Sequence, residues 1–202
     1  MIKSIIFDLG KVIIPFEFER AYRHFEAHTG LTTPEIRRRL GEADLYRQFE
    51  SGLLEPPEFV ERVGGCLGMS ISYEDFCPMW TSIFLPDPLL TEEFLEGLAR
   101  NYKLVLLSNT NAIHFEMIRE TYPLLRHFHE FVLSYRVGVM KPSRAIYERA
   151  VAASACQAEE CLFFDDMAEN VEAAREAGLH AVQFLSAGQA ESELVARGVR
   201  IR

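Results

Sequence analysis

Apolar positions fall into five short unbroken blocks, at residues 4–9, 103–108, 131–134, 161–166 and 180–184. None alternates with polar residues, so each predicts a strand covered on both faces, as in a parallel sheet. Between the later blocks the apolar spacing becomes helical, at residues 113–120, 145–155, 169–177 and 189–197. Gly178 and Gly198 stand where C-caps are expected. From about residue 100 onward strand and helix alternate. That order predicts an α/β fold, a doubly wound parallel sheet of Rossmann type. Right-handed crossovers then gather the strand C-termini along one edge.

Residues 16–88 break the rhythm. They hold no convincing strand, only amphipathic stretches at 18–28, 34–40, 44–50, 58–67 and 73–84. Gly30, Gly52, Pro56, Pro57, Pro86 and Pro88 punctuate them. An excursion of this length far exceeds the ~2–6 residues of an ordinary βα connection. It predicts a helical cap, residues 16–86, inserted into an α/β core made of residues 1–15 and 87–202.

Composition narrows the function classes. With 30 acidic against 21 basic residues and a net charge of −9, the chain is ill suited to bind nucleic acid or an anionic membrane. An anionic ligand must be held by a local device, a metal ion or a converging lysine. The four cysteines, Cys66, Cys77, Cys156 and Cys161, show no metal-ligand spacing and read as reduced thiols. Asp8 and Lys11 interrupt the apolar N-terminal run, and no signal-cleavage site follows. No stretch reaches the ~18 apolar residues of a membrane span. The expected location is the cytoplasm.

Asp8, Ser108, Lys141 and the pair Asp165–Asp166 all fall at the predicted strand C-termini. Each has a plain local explanation. Asp8 can cap a turn, residues 108–111 can cap a helix, Lys141 can be a loop lysine, and Asp166 with Glu169 has the form of a capping box. Together those explanations weaken, because three carboxylates in one crevice repel each other. A divalent cation relieves that repulsion, and Mg²⁺ suits a set of carboxylates shared with phosphate oxygens and water. Successive residues at a strand end point to opposite sides, so one of Asp165 and Asp166 is expected to ligate.

Four motifs in order, FDLGKV at 7–12, LLSNT at 106–110, Lys141 in MKPS and FFDDMAEN at 163–170, resemble the haloacid dehalogenase superfamily. The resemblance spans the chain and includes the helical cap. It is nearest to the subgroup similar to α-D-glucose-1-phosphate phosphatase and the phosphatase domain of soluble epoxide hydrolase. It implies a Mg²⁺-dependent phosphatase of a small phosphorylated metabolite, such as a sugar phosphate, acting through an aspartyl-phosphate. It also implies the roles. Asp8 is the nucleophile, and Asp8, the Gly10 carbonyl and Asp166 hold Mg²⁺, with Asp165 and Asn170 behind them. Ser108, Asn109 and Lys141 bind the phosphoryl group. Either a monomer or a homodimer is compatible with this reading.

Gly10 departs from the commonest pattern, in which a second Asp stands two residues after the nucleophile as general acid. Two further readings follow: a dehalogenase-like hydrolase, or a catalytically impaired binding protein on the same scaffold. Other residues carry weaker expectations. Arg37, Arg38 and Arg39 read as a solvated helix face, and Lys11 as a turn lysine. Phe16, Phe18 and Trp80 read as cap core, while His127 and His129 share a strand face. His114 is the one histidine close to the predicted site.

Overall fold

The computed structural model describes residues 1–201. In chain order the elements are β1 (Ser4–Phe7), α1 (Phe18–Thr29), α2 (Thr33–Glu42), α3 (Leu45–Glu50), α4 (Pro56–Leu67), α5 (Tyr73–Thr81) and α6 (Glu92–Ala99). They continue as β2 (Lys103–Ser108), α7 (Ala112–Thr121), β3 (Glu130–Leu133), α8 (Ser134–Val137) and α9 (Arg144–Ser154). The last four are β4 (Cys161–Asp165), α10 (Ala168–Glu176), β5 (His180–Gln183) and α11 (Ala187–Ala196).

All five strands pair in parallel in the order β3-β2-β1-β4-β5, so β1 is central. Successive residues of one strand feed opposite faces. Ile5 and Phe7 pack with α6, α7 and α11 through Leu95, Phe115, Ile118 and Leu194. Ile6 packs with α9 and α10 through Ile146, Tyr147, Val171 and Ala174. Two covered faces are the physical reason the strand blocks lack alternation. β1 and β4 stop at Phe7 and Asp165, slightly short of their apolar blocks, because the ladder ends where the chain must turn, whereas β2 spans its whole block.

Helices α1–α5 gather around a separate apolar centre of Phe25, Phe49, Phe59, Phe76 and Trp80. Ile113 of α7 joins that cluster, so the insert docks on the sheet-bearing part against α7, and α3 also touches α8. The chain leaves and returns side by side. Glu17 N–H donates to Ile83 O at 2.9 Å and Leu85 N–H to Pro15 O at 3.0 Å, about a Phe16–Phe84 bridge.

Three details differ from expectation. Helix α6, capped by Thr91, precedes β2, where no helix is predicted from the sequence. The apolar stretch over residues 73–84 is helical only to Thr81, since its last residues form the returning linker. His127 ends a 3₁₀ turn and His129 follows it, so neither lies on a strand. His129 Nδ1 instead accepts the Leu104 N–H at 3.0 Å, satisfying an edge donor of β2.

Candidate active site

The central strand β1 has β2 on one side and β4 on the other, and the chain crosses from the first side to the second after β3. The C-terminal ends of β1 and β4 therefore border the switch point at which open α/β sheets bind ligands. Asp8 follows β1, Ser108 ends β2, Asp165 ends β4 with Asp166 next, and Lys141 arrives from the loop between α8 and α9. Lys141 Nζ lies 2.8 Å from Asp8 Oδ1 and 2.6 Å from Asp165 Oδ2. The bridge is buried, Asp165 fully and Lys141 with 6% of its surface exposed.

The supporting bonds explain why these side chains hold still. Asn109 grips the Lys141 backbone twice, its Oδ1 accepting the Lys141 N–H at 2.8 Å and its Nδ2 donating to Lys141 O at 3.0 Å. Asp165 Oδ1 accepts from Met167 N–H and Asn170 Nδ2, both at 2.9 Å. Tyr147 Oη donates to Asn170 O at 2.9 Å and fixes that turn from below. Asp165 is thus fully engaged, whereas Asp166 is half-buried and borders an open cleft. The capping alternatives resolve by geometry. Met167 occupies the N-cap of α10, so Asp166 does not cap it, and Asn111, not Ser108, caps α7 by accepting the His114 N–H.

One oxygen each of Asp8, Asp165 and Asp166 can be chosen so that all lie within 4.8 Å of one another. Three carboxylates face one ammonium there, leaving two negative charges for a single divalent cation to balance. Burial pushes the Asp8 carboxyl above the ordinary carboxylate range; Lys141 opposes this and Asp165 reinforces it. Burial also raises Asp166, with Asp165 pushing the same way. Burial pulls Lys141 down, but Asp8 and Asp165 outweigh it, so the ammonium stays charged. An oxygen-only, electron-rich, partly open cluster fits Mg²⁺, which takes one or two carboxylates and completes its shell with water and phosphate oxygens.

The cleft beside this cluster has a volume of about 350 Å³ and is bordered by Asp8, Gly10, Lys11, Lys141, Asp166 and Met167, among others. A smaller cavity of about 60 Å³ adjoins it beneath the helical insert, and Ser108, Thr110, Phe84 and Glu50 face it. Phe16 and Phe18 line both spaces; Phe16 also packs against the cap's apolar centre as expected, Phe18 lies outside it, which corrects its reading as cap core, and Trp80 sits within it, 2% exposed. Lys11 Nζ lies 5.2 Å from the Phe16 ring centroid, the position of a turn lysine over an aromatic. Arg37, Arg38 and Arg39 pair with Glu19, Glu42 and Glu35 on the insert's outer side, as a solvated face would.

Two residues near the site have roles the sequence does not announce. His114 stacks on Trp80 with ring centroids 5.2 Å apart and joins the two apolar centres. Its Nε2 faces Trp80 O at 3.2 Å and its Nδ1 faces Asn111 Nδ2 at 3.0 Å. Only the neutral Nε2–H tautomer satisfies both contacts. Glu50, the last residue of α3, reads in sequence as one more polar position of an amphipathic stretch, yet it lines the cavity beside Gly10 and Ser108. The available signal was Gly52, two residues on, which marks a forced turn.

The doubly wound sheet thus carries a carboxylate–lysine bridge at its switch point, with a helical insert above, the architecture of a hydrolase with an α/β core. The chain belongs to the haloacid dehalogenase-like hydrolase family, whose pattern it matches over residues 2–178. It is 30% identical over 190 residues to a D-ribitol-5-phosphate phosphatase of Bacteroides thetaiotaomicron, covering 91% of this chain and 92% of that protein. It is 28% identical to a phosphatase of Mycobacterium tuberculosis, over 96% of this chain and 92% of that one. A solved haloacid dehalogenase family enzyme of B. thetaiotaomicron, in complex with magnesium and inorganic phosphate, superposes with a TM-score of 0.84 at 26% identity. That alignment covers 93% of this chain and 96% of the other.

Proposed function

We propose that this hydrolase is a Mg²⁺-dependent phosphatase of a small phosphorylated metabolite of the sugar-phosphate kind. The observation that carries the reading is the buried Lys141 ammonium bridging Asp8 and Asp165 beside a third carboxylate. Two relatives named as phosphatases, and a structural neighbour solved with magnesium and phosphate, support it.

Asp8 attacks phosphorus with one carboxylate oxygen, the P–O bond to the leaving group breaks, and water then hydrolyses the aspartyl-phosphate. Lys141, already bonded to Asp8 Oδ1, keeps the nucleophile ionised against burial and neutralises charge on the transferring group. Ser108, with the Asn109 backbone beside it, binds phosphoryl oxygens, while the Asn109 side chain holds Lys141 in register. Asp8, the Gly10 carbonyl and Asp166 would hold the cation, and Asp165, steadied by Asn170, orients Lys141. Mg²⁺, when bound, supplies charge neutralisation at the carboxylates and phosphoryl oxygens. Residues 16–86 act as a cap domain over a core of residues 1–15 and 87–202. Among the described residues no helix is long and apolar enough to cross a membrane, and the four cysteines are free. Both facts support a cytoplasmic enzyme.

A panel of phosphate esters assayed with Mg²⁺ and with chelator tests the reading. Turnover should require Mg²⁺ and vanish in Asp8→Asn, with the circular dichroism spectrum unchanged. Undiminished turnover in chelator, or in Asp8→Asn, overturns it, and preferential halide release from haloacids favours the dehalogenase reading.

A further inference from the structure

We infer that Glu50, carried by the helical insert, is the proton donor to the leaving oxygen, supplying the carboxyl that position 10 lacks; this rests on the phosphatase reading above. A side chain at position 10 would meet the Phe16 ring unless that ring moved. An ideal Cβ on Gly10 would lie 2.7 Å from Phe16 Cε1, so the ring fills the space that a carboxyl two residues after the nucleophile would need. The backbone there is not left-handed, and the obstacle is Phe16 alone.

Glu50 opens onto the same space from the helical insert. It lines one small cavity together with Gly10, Phe16, Ser108 and Asn109. The acidic residues Glu19, Glu35, Glu42, Asp44 and Glu58 of the insert pair with arginines on its surface. Among the described residues Glu50 forms no ion pair, and the charges it senses are those of Lys141 and Asp8. Its position is enforced by the turn that follows. Gly52 has φ +72°, and an ideal Cβ on it would lie 2.2 Å from Tyr135 O, so only glycine lets the turn press against the β3–α8 junction. The end of α3 is thereby pinned to the sheet-bearing part of the molecule.

In the first half-reaction Asp8 forms the new O–P bond, the P–O bond to the substrate breaks, and the departing oxygen takes the Glu50 proton. In the second, the attacking water gives its proton to the Glu50 carboxylate, and the acid is restored. Burial pushes the Glu50 carboxyl up to about 7, with Lys141 opposing and Asp8 reinforcing, which leaves much of it protonated near neutral pH. Two further titratable groups near it, Tyr46 and His114, are uncharged at that pH. Burial drives the Tyr46 hydroxyl far up, and burial holds His114 down to about 4.

The test uses the full chain with Mg²⁺ and esters of graded leaving-group acidity: acetyl phosphate, p-nitrophenyl phosphate, glycerol phosphate and pentitol phosphates. In Glu50→Gln, kcat for the alkyl esters should fall by about 10²–10³ while that for p-nitrophenyl and acetyl phosphate falls only a few-fold. The alkaline limb of the alkyl-ester pH profile, with its midpoint near 7 in the wild type, should disappear. Glu50→Asp should recover part of the alkyl-ester rate. A uniform rise in KM across all esters identifies a hydroxyl-binding residue and overturns the inference, as does an unchanged leaving-group dependence. A wild type that hydrolyses none of the esters, p-nitrophenyl phosphate included, removes the phosphatase reading itself and the inference with it.

Discussion

His114 makes stability depend on pH in a narrow and calculable window. It is 6% exposed, and burial lowers it from 6.5 to about 4, against a smaller opposing pull from Trp80 O. The geometry says why. A second proton would have to sit on Nδ1, which already faces the Asn111 amide nitrogen. The unfolded chain binds that proton below about pH 6.5 and the native chain does not, so the native state loses ground as the pH falls. The loss is negligible above the unfolded value, reaches about 2 kcal/mol at pH 5 and levels off near 3 kcal/mol below pH 4. Urea unfolding followed by tryptophan fluorescence reads it well, because Trp80 is the single tryptophan and stacks on His114. The quantity to plot is the unfolding free energy of the wild type minus that of His114→Gln, so that titrations of Asp8 and Glu50 cancel. It should be flat from pH 8 to 6.5 and then fall by about 1.4 kcal/mol per unit. A difference that stays flat to pH 5, or a His114 proton resonance titrating near 6.5, refutes the reasoning.

Two further outcomes separate neighbouring residues. Asp165→Ala strips Lys141, Met167 N–H and Asn170 of a buried acceptor and should destabilise by about 3–5 kcal/mol in urea unfolding. Asp166→Ala should leave stability nearly unchanged yet weaken Mg²⁺ binding by titration calorimetry more than Asp165→Ala does; the reverse order means the ligand is misassigned. Gly10→Asp alone should destabilise by about 1–3 kcal/mol through its clash with Phe16, and Phe16→Ala should remove most of that penalty. Strict additivity of the two substitutions in a double-mutant cycle contradicts this account.

What was legible in the sequence was whatever repeats over short distances or sits at a strand end. The blocks around Ile5, Val105 and Phe163 are buried on both faces, and that condition writes itself into local composition. Asp8, Ser108 and Asp165 share the sheet edge because parallel pairing aligns their strands, so one topological inference places all three. Glu50 was not legible, since its relation to Asp8 and Gly10 is made by the docking of α3 and by Gly52 against Tyr135. In sequence it resembles Glu42, which is exposed and paired with Arg38. Phe18 was misread for a related reason. An apolar ring has the same signature whether it fills a core or walls a cleft.

The side-by-side linker has a consequence for how the chain comes to be folded. The central strand is made first, but its partner across Ser4 and Lys103 lies 99 residues downstream. At ~5–20 residues per second of synthesis, β1 waits roughly 5–20 s for β2 to exist. The insert needs no such wait, because α1–α5 contribute nearly all of its apolar centre and contact one another locally. Once Phe16 and Phe84 meet, the insert is a closed knot of its own. Only the short arms on either side still separate β1 from β2. Shortening the open loop in this way lowers the entropy of pairing the two strands by about 1 kcal/mol. The helical insert is thus also an early-folding splint for the strand that bears the nucleophile.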